Sequence, residues 1–81
     1  MIIDNDDHDQ ALFADGFDEA FLGMGRQFNK TIAVYDYDRC LDILIERDGM
    51  STLEAIEHME FNVIGAWVGE FTPVFLERDE E

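Results

Sequence analysis

The chain has 81 residues, of which 20 are Asp or Glu and only five are Lys or Arg, so its formal net charge is −15. Such a polyanion is repelled by nucleic acid and by anionic membranes, which argues against direct binding to either and favours basic protein surfaces as partners. An acidic surface is also typical of proteins adapted to salt, so charge alone leaves a pure solubility role open. No apolar run reaches the roughly 20 residues of a membrane span, and the N-terminus is acidic where a signal peptide is basic. We therefore expect a soluble cytoplasmic protein.

The size of the chain makes stability a concern. One domain of this length has a core that supplies only about 3–5 kcal/mol. Cys40 is the single cysteine, so no internal disulfide forms, and no Cys/His cluster has the spacing of a zinc site. Because 47% of the residues are apolar, including seven Phe and one Trp, we expect a self-association face and a homodimer. We expect no metal and no cofactor.

The N-terminal segment, residues 1–16, is rich in Asp and has a short apolar patch at Leu12 and Phe13. We expect this acidic segment to be mobile, docking through that patch. No register of the segment fits the loop of an EF-hand, which needs Asp or Asn at alternate positions followed by Gly. Specific calcium binding is therefore not predicted.

Two strands joined by a turn are predicted next. Residues 17–28 alternate in their second half as a strand does, Asn29 and Lys30 turn the chain, and residues 31–35 form a β-branched and aromatic run. Gly23 and Gly25 lack the third glycine and the following helix of a phosphate-binding loop. We interpret them as marking a bulge or a close approach by another backbone, for which the helix is the expected neighbour.

A first helix is predicted from its N-cap, Asp36, to about Asp48, with Gly49 directly after its end. Its apolar residues recur with the spacing of one buried helical face; they are Tyr37, Cys40, Leu41, Leu44 and Ile45. Cys40 is therefore interpreted as a core residue and not as a nucleophile. Asp36 and Asp38 are explained by helix capping and need no metal.

The central element is a second helix over residues 51–68. Ser51 and Glu54 have the spacing of a capping box directly before an apolar run. The apolar residues of this helix cover roughly 200° of its circumference, about twice the stripe of a surface helix. Residues 69–73 then break the helix, and Pro73–Glu77 reads as a third strand before an acidic tail, residues 78–81.

The predicted order is β-β-α-α-β. We therefore predict a single α+β domain over residues 17–77, with a three-stranded, mainly antiparallel sheet and two helices on one face.

Several segments resemble a group of small, uncharacterised bacteriophage and prophage proteins. They are Asp15–Gly25, Ala33–Leu44, Asp48–Met50 and Glu60–Glu70 together with Thr72 and Pro73. The resemblance covers about residues 15–77. It implies a phage or bacterial origin and a host-cell cytoplasm, and it implies no activity and no functional residue.

No catalytic residues are predicted, and we expect the protein not to be an enzyme. Glu60 is the best candidate for a tuned acid, because it projects into the apolar arc of the second helix, where burial would raise the pKa of its carboxyl. A buried structural acid is the preferred interpretation, hydrogen-bonded to Tyr35 or Tyr37 or paired with Arg26 or Arg39. No Ser/His/Asp or Cys/His arrangement accompanies it.

Two functional hypotheses remain. In the first, the protein is a nucleic-acid mimic that inhibits a basic host protein, with its exposed acids at two ends of the domain: Asp4, Asp6, Asp7, Asp9, Asp15, Asp18 and Glu19 at one end, and Glu77, Asp79, Glu80 and Glu81 at the other. These acids form one surface only if the first and last strands lie near each other. In the second, an accessory or structural phage protein works through homo-oligomerisation by Phe61, Trp67 and Phe71, and its acidity serves solubility only.

Overall fold

The structure is a computed structural model that describes residues 2–4, 11–28, 30–66 and 69–78. Its strands are β1 (Ile2–Asp4), β2 (Leu12–Ala14), β3 (Phe21–Gln27), β4 (Lys30–Asp36) and β5 (Val74–Leu76). Its helices are α1 (Tyr37–Asp48) and α2 (Thr52–His58), and α2 continues into a π-helical segment, Met59–Ile64. A short 3₁₀ turn, Asp18–Ala20, precedes β3.

The predicted α+β fold with a three-stranded sheet and two helices is confirmed. The strand order is β3-β4-β5, with β3 antiparallel to β4 and β5 parallel to it. The sheet is therefore mixed and only partly antiparallel. The connection permits this arrangement, because β4 and β5 are joined through both helices and parallel strands need a long crossover of this kind.

The N-terminal strands are part of the folded domain. β1 pairs with β2 in an antiparallel ladder from Ile2↔Ala14 to Asp4↔Leu12. Ala14 is fully buried, and its N–H donates a hydrogen bond to the hydroxyl oxygen of Tyr35 at 2.9 Å. The expected docking of this segment through Leu12 and Phe13 involves β2, whose packing extends the domain to before residue 17, and the mobility of residues 1–16 stays a prediction. Residues 5–10 of that segment lie outside the described residues.

Helix α1 begins and ends where the sequence predicts. The carboxylate of Asp36 accepts a hydrogen bond from the Arg39 N–H at 3.3 Å, and Gly49 ends the helix in the left-handed conformation with φ 71°. In the β3–β4 hairpin the register shifts between Phe21 and Gly23, which confirms the predicted bulge. At Gly25 the close neighbour is a β4 side chain, since a Cβ there would lie 2.9 Å from Cγ2 of Val34.

Helix α2 begins with the predicted capping box. The Ser51 hydroxyl accepts from the Glu54 N–H at 3.1 Å, and the Glu54 carboxylate accepts from the Ser51 N–H at 2.9 Å. The helical path ends at Ile64 and not at Val68, because the last turns are π-helical and lead into a turn at Gly65. Trp67 and Val68 lie outside the described residues.

One core joins all layers. It includes alternate β4 residues on one face, Ala33 and Tyr35, and residues of both helices: Tyr37, Cys40, Ile43, Leu44, Ala55, Met59 and Val63. Both helices therefore pack into a cluster on the same face of the sheet. The predicted α1 residues Leu41 and Ile45 pack against this cluster from its margin, and Cys40 is a buried core residue, as predicted.

Candidate functional site

The acids predicted to bind a partner are only partly within the described residues. Asp15, Asp18 and Glu19 are exposed on the turn between β2 and β3, and Glu77 is exposed directly after β5. Asp4 belongs to β1. Asp6, Asp7, Asp9, Asp79, Glu80 and Glu81 lie outside the described residues. Because β3 and β5 form opposite edges of the sheet, the strands do not bring the two ends together as the hypothesis required.

Helix α1 supplies acids between these two ends. Asp38, Asp42 and Glu46 are exposed and spaced four residues apart, so they share one side of the helix. This side faces away from Cys40 and Leu44, which are buried. At 1.5 Å per residue, the three acids span about 12 Å along the helix axis.

The turn before β3 lies along α1, with contacts near both of its ends. The Arg39 guanidinium lies 3.4 Å from the Glu19 carboxylate and 3.9 Å from that of Asp42. Arg47 donates a hydrogen bond to the Gly16 carbonyl at 2.7 Å. A shallow cavity of about 270 Å³ lies here; Gly16, Asp18, Glu19, Ile43, Glu46 and Arg47 line it. The two arginines thus fix the turn acids beside the α1 acids.

At the start of α1, the hydroxyl of Tyr37 contacts a carboxylate of the π-helical segment. This hydroxyl donates a hydrogen bond to Oε2 of Glu60 at 3.1 Å. The pKa of Tyr37 is raised to about 12, first by burial, then by the bond to Glu60 and by the negative charges of Glu60, Glu77 and Asp38. We call the whole row the acidic band: Asp15, Asp18, Glu19, Asp38, Asp42, Glu46, Glu60 and Glu77.

The prediction that Glu60 is a buried acid is wrong, because the residue is exposed. Its partner is one of those expected, Tyr37, and the contact is partly buried. The apolar arc misled the prediction, since only one strip of it is covered. That strip is Ala55, Met59 and Val63, and Glu60 projects away from it.

The π-helical segment explains why Ala55, Met59 and Val63, which are spaced four residues apart, all face the core. In an α-helix, residues four apart drift around the axis, because one turn holds 3.6 residues. The wider π-helical turn reverses this drift between Met59 and Val63, so both are buried like Ala55.

The other described residues of the arc are open to solvent. Phe61 is 78% exposed and Leu53 is 65% exposed, while Phe71 is half-buried. Trp67 lies outside the described residues. Beside Phe61 is a groove of about 430 Å³; Met50, Glu54, Glu57, His58, Phe61 and Asn62 line it. We call it the α2 groove. One wall of the groove is fixed by a contact of 3.2 Å between Nδ2 of Asn62 and Nδ1 of His58.

Comparisons of the chain with protein-family models, with curated proteins and with solved structures found no match. In the described parts of the chain, no helix is long and apolar enough to cross a membrane. Those parts also hold no group of three or more His, Cys, Asp or Glu side chains arranged to hold a metal ion. Function is therefore argued from the geometry of the acidic band and of the exposed apolar residues.

The sequence interpretation missed the middle of the acidic band. Asp38 was explained by helix capping, and Asp42 and Glu46 were not singled out. The available signal was their spacing, because acids at i, i+4 and i+8 form a row on one side of any helix. Their position opposite the apolar residues of α1 already made this row solvent-facing.

Proposed function

We propose that this protein acts by binding, as a nucleic-acid mimic that occupies the basic surface of a host-cell protein. The acidic band is the single observation that carries the proposal. It combines carboxylates from the β2–β3 turn, α1, the π-helical segment and the residue after β5; Arg39 contacts Glu19 and Asp42, and Tyr37 contacts Glu60. A solubility role would need no such grouping, because carboxylates scattered over the surface give the same net charge.

The charges of the α1 row are spaced more widely than those of one DNA strand, and the turn acids add to them. One strand of B-DNA carries a negative charge every 3.4 Å of axis or so. The α1 acids recur about every 6 Å, and the turn acids Asp18 and Glu19 lie beside them. Arg39 contacts Glu19 and Asp42, and Arg47 contacts the Gly16 carbonyl, so the turn lies beside α1. Attraction of this kind mainly accelerates association and selects basic partners.

The alternative function is that of an accessory or structural phage protein that works through homo-oligomerisation. The exposure of Phe61, which follows α2, favours it. Acids outside the band, such as Glu54, Glu57 and Glu70, are also exposed, as a solubility role requires. The two functions differ in which surface a partner needs.

A pair of charge-matched triple variants separates them. The band variant carries Glu19→Gln, Asp42→Asn and Glu46→Gln. The control variant carries Glu54→Gln, Glu57→Gln and Glu70→Gln, and its first change is tolerated because a glutamine side chain also completes a capping box. Both variants remove three negative charges from exposed positions, so both keep the same net charge.

The measurement is capture of bacterial proteins on each immobilised variant, followed by titration with salt and with duplex DNA. The band variant should bind the captured partner about tenfold more weakly or worse, because each exposed pair contributes up to about 1 kcal/mol. The control should bind as the unmodified chain does, and duplex DNA should displace the partner. If both variants lose the same affinity for the partner, binding depends on net charge and not on the acidic band. Binding that survives high salt but is lost with Phe61→Ser would favour apolar recognition instead.

A further inference from the structure

The tip of the β3–β4 hairpin carries an aromatic side chain that the domain itself does not use. Phe28 is 97% exposed, and its φ of 58° lies in the left-handed region. A bulky residue in this region is an outlier, since Gly and Asn are the residues that fit it without strain. Strained, exposed residues of this kind are typical of functional sites.

The same tip carries two cations without a carboxylate partner among the described residues. Of the five cations in the chain, Arg39, Arg47 and Arg78 each form an ion pair. No ion pair joins Arg26 or Lys30 to an acid in the described ranges. The register pairs Arg26 with Thr31 and Gln27 with Lys30. Because residues paired across the ladder share a face, Arg26 and Lys30 flank Phe28 on opposite faces of the hairpin.

The tip is also free of the rest of the sheet. β5 pairs only with the last three residues of β4, Val34–Asp36. The first half of β4 and its β3 partners continue past this strand as a two-stranded arm. The hairpin therefore presents an apolar tip with positive charge on either side.

The α2 groove has the complementary character. Met50 and Phe61 supply apolar surface, and Glu54 and Glu57 are exposed acids on its wall. One oxygen of Glu54 is engaged in the capping box, whereas Glu57 has no hydrogen bond or ion pair to the described residues. The groove thus has an apolar surface with negative charge at its edge.

We propose that the hairpin tip of one copy docks into the α2 groove of a second copy. Phe28 would lie against Met50 and Phe61, with Arg26 and Lys30 beside Glu57 and Glu54. Charge complementarity selects a second copy: both halves of the contact occur in the same chain, in equal amounts. Because the two halves are different surfaces, the contact is heterologous and leads to rings or open chains. This proposal does not depend on binding of a basic protein, since the α1 row of the acidic band takes no part in it.

The repulsion between two chains of net charge −15 sets the conditions of the test. At physiological ionic strength the Debye length is about 8 Å, so distant charges are screened while close contacts persist. Sedimentation should therefore be measured near this ionic strength. Two one-sided variants are needed: Phe28→Asn, which removes the tip, and Glu57→Lys with Phe61→Ser, which removes the groove. Leu53→Ser is the control, because Leu53 is an exposed apolar residue of the same helix that does not line the groove.

The unmodified chain should sediment above monomer mass, and the Leu53→Ser control should match it. Each one-sided variant alone should be monomeric. An equal mixture of the two should form a 1:1 dimer, because the tip variant keeps its groove and the groove variant keeps its tip. Phe28→Asn should also raise the urea midpoint of the monomer, since Asn suits the left-handed turn; a merely structural Phe28 would lower it. A monomeric unmodified chain, an oligomer that survives Phe28→Asn, or a mixture that stays monomeric would overturn the proposal.

Discussion

A hydrogen bond from the Ala14 N–H to the Tyr35 hydroxyl links β2 to the core. The substitution Tyr35→Phe removes this hydroxyl alone and so tests whether the β1–β2 pair unfolds together with the core. In Tyr35→Phe the ring stays in place against Phe21, at 5.5 Å between ring centroids, and against Phe75, at 5.6 Å. What is lost is the acceptor of the buried Ala14 N–H, whose nitrogen lies 2.9 Å from the hydroxyl oxygen. Loss of a partner inside the core leaves a desolvated donor, at a cost of about 1–3 kcal/mol.

That loss is large for this domain. A core of this size supplies about 3–5 kcal/mol, and for a domain of 60–100 residues 1 kcal/mol shifts Tm by about 4–8 °C. We therefore expect Tyr35→Phe to lower Tm by roughly 4 °C at the least. The matched control is Tyr37→Phe, which removes a hydroxyl bonded to the exposed carboxylate of Glu60. Since water replaces that bond, the control should lower stability by less than about 1 kcal/mol.

Urea denaturation followed by circular dichroism gives both free energies of unfolding. Limited proteolysis of the folded variants reports the β2 region directly, because a loosened β2 exposes the chain near Ala14 to cleavage. If Tyr35→Phe loses no more stability than Tyr37→Phe, and cleavage near Ala14 is unchanged, then the hydroxyl does not hold β2 on the sheet.

Two further predictions concern pH and the start of α2. Burial raises the pKa of the Cys40 thiol to about 12, helped by the charge of Asp36, and Tyr37 also has its pKa raised to about 12. Because the folded state favours the neutral forms, their contribution to stability is complete below pH 9, the ordinary pKa of the thiol, and is lost as pH rises towards 12. Urea midpoints should fall across that range. In Cys40→Ala the fall should begin only at about pH 10, where an ordinary tyrosine begins to ionise. A fall that begins at the same pH in the variant and in the unmodified chain would contradict this reasoning. Ser51→Ala removes the capping hydroxyl and should cost about 1 kcal/mol, whereas Ser51→Asp should keep most of the stability; equal midpoints for the two variants would show that the cap contributes little.

The proposed functions make opposite demands on salt. Binding of a basic protein through the acidic band should weaken as salt rises, because the attraction between opposite charges is screened. Self-association through the hairpin tip should strengthen from very low to physiological salt, because the repulsion between two chains of net charge −15 is screened over the same range. One salt series on each process therefore separates them.

The sequence by itself determined the elements whose signals are local. The N-cap Asp36, the ending Gly49 and the capping box of Ser51 and Glu54 act between residues close together in the chain or on a single backbone conformation. The β3–β4 hairpin, with its bulge near Gly23, follows from two short runs around one turn. Such features form in the same way in almost any surrounding, so composition and spacing suffice to predict them.

Only the tertiary structure decided which elements meet. β5 joins the sheet parallel to β4 although both helices separate the two strands in the chain, β2 enters the core through the hydroxyl of Tyr35, and Glu60 reaches solvent because the core covers a single strip of α2. The acidic band has the same origin, since the turn acids approach α1 through Arg39 and Arg47. These contacts depend on how two elements pack, and neither element carries that information alone.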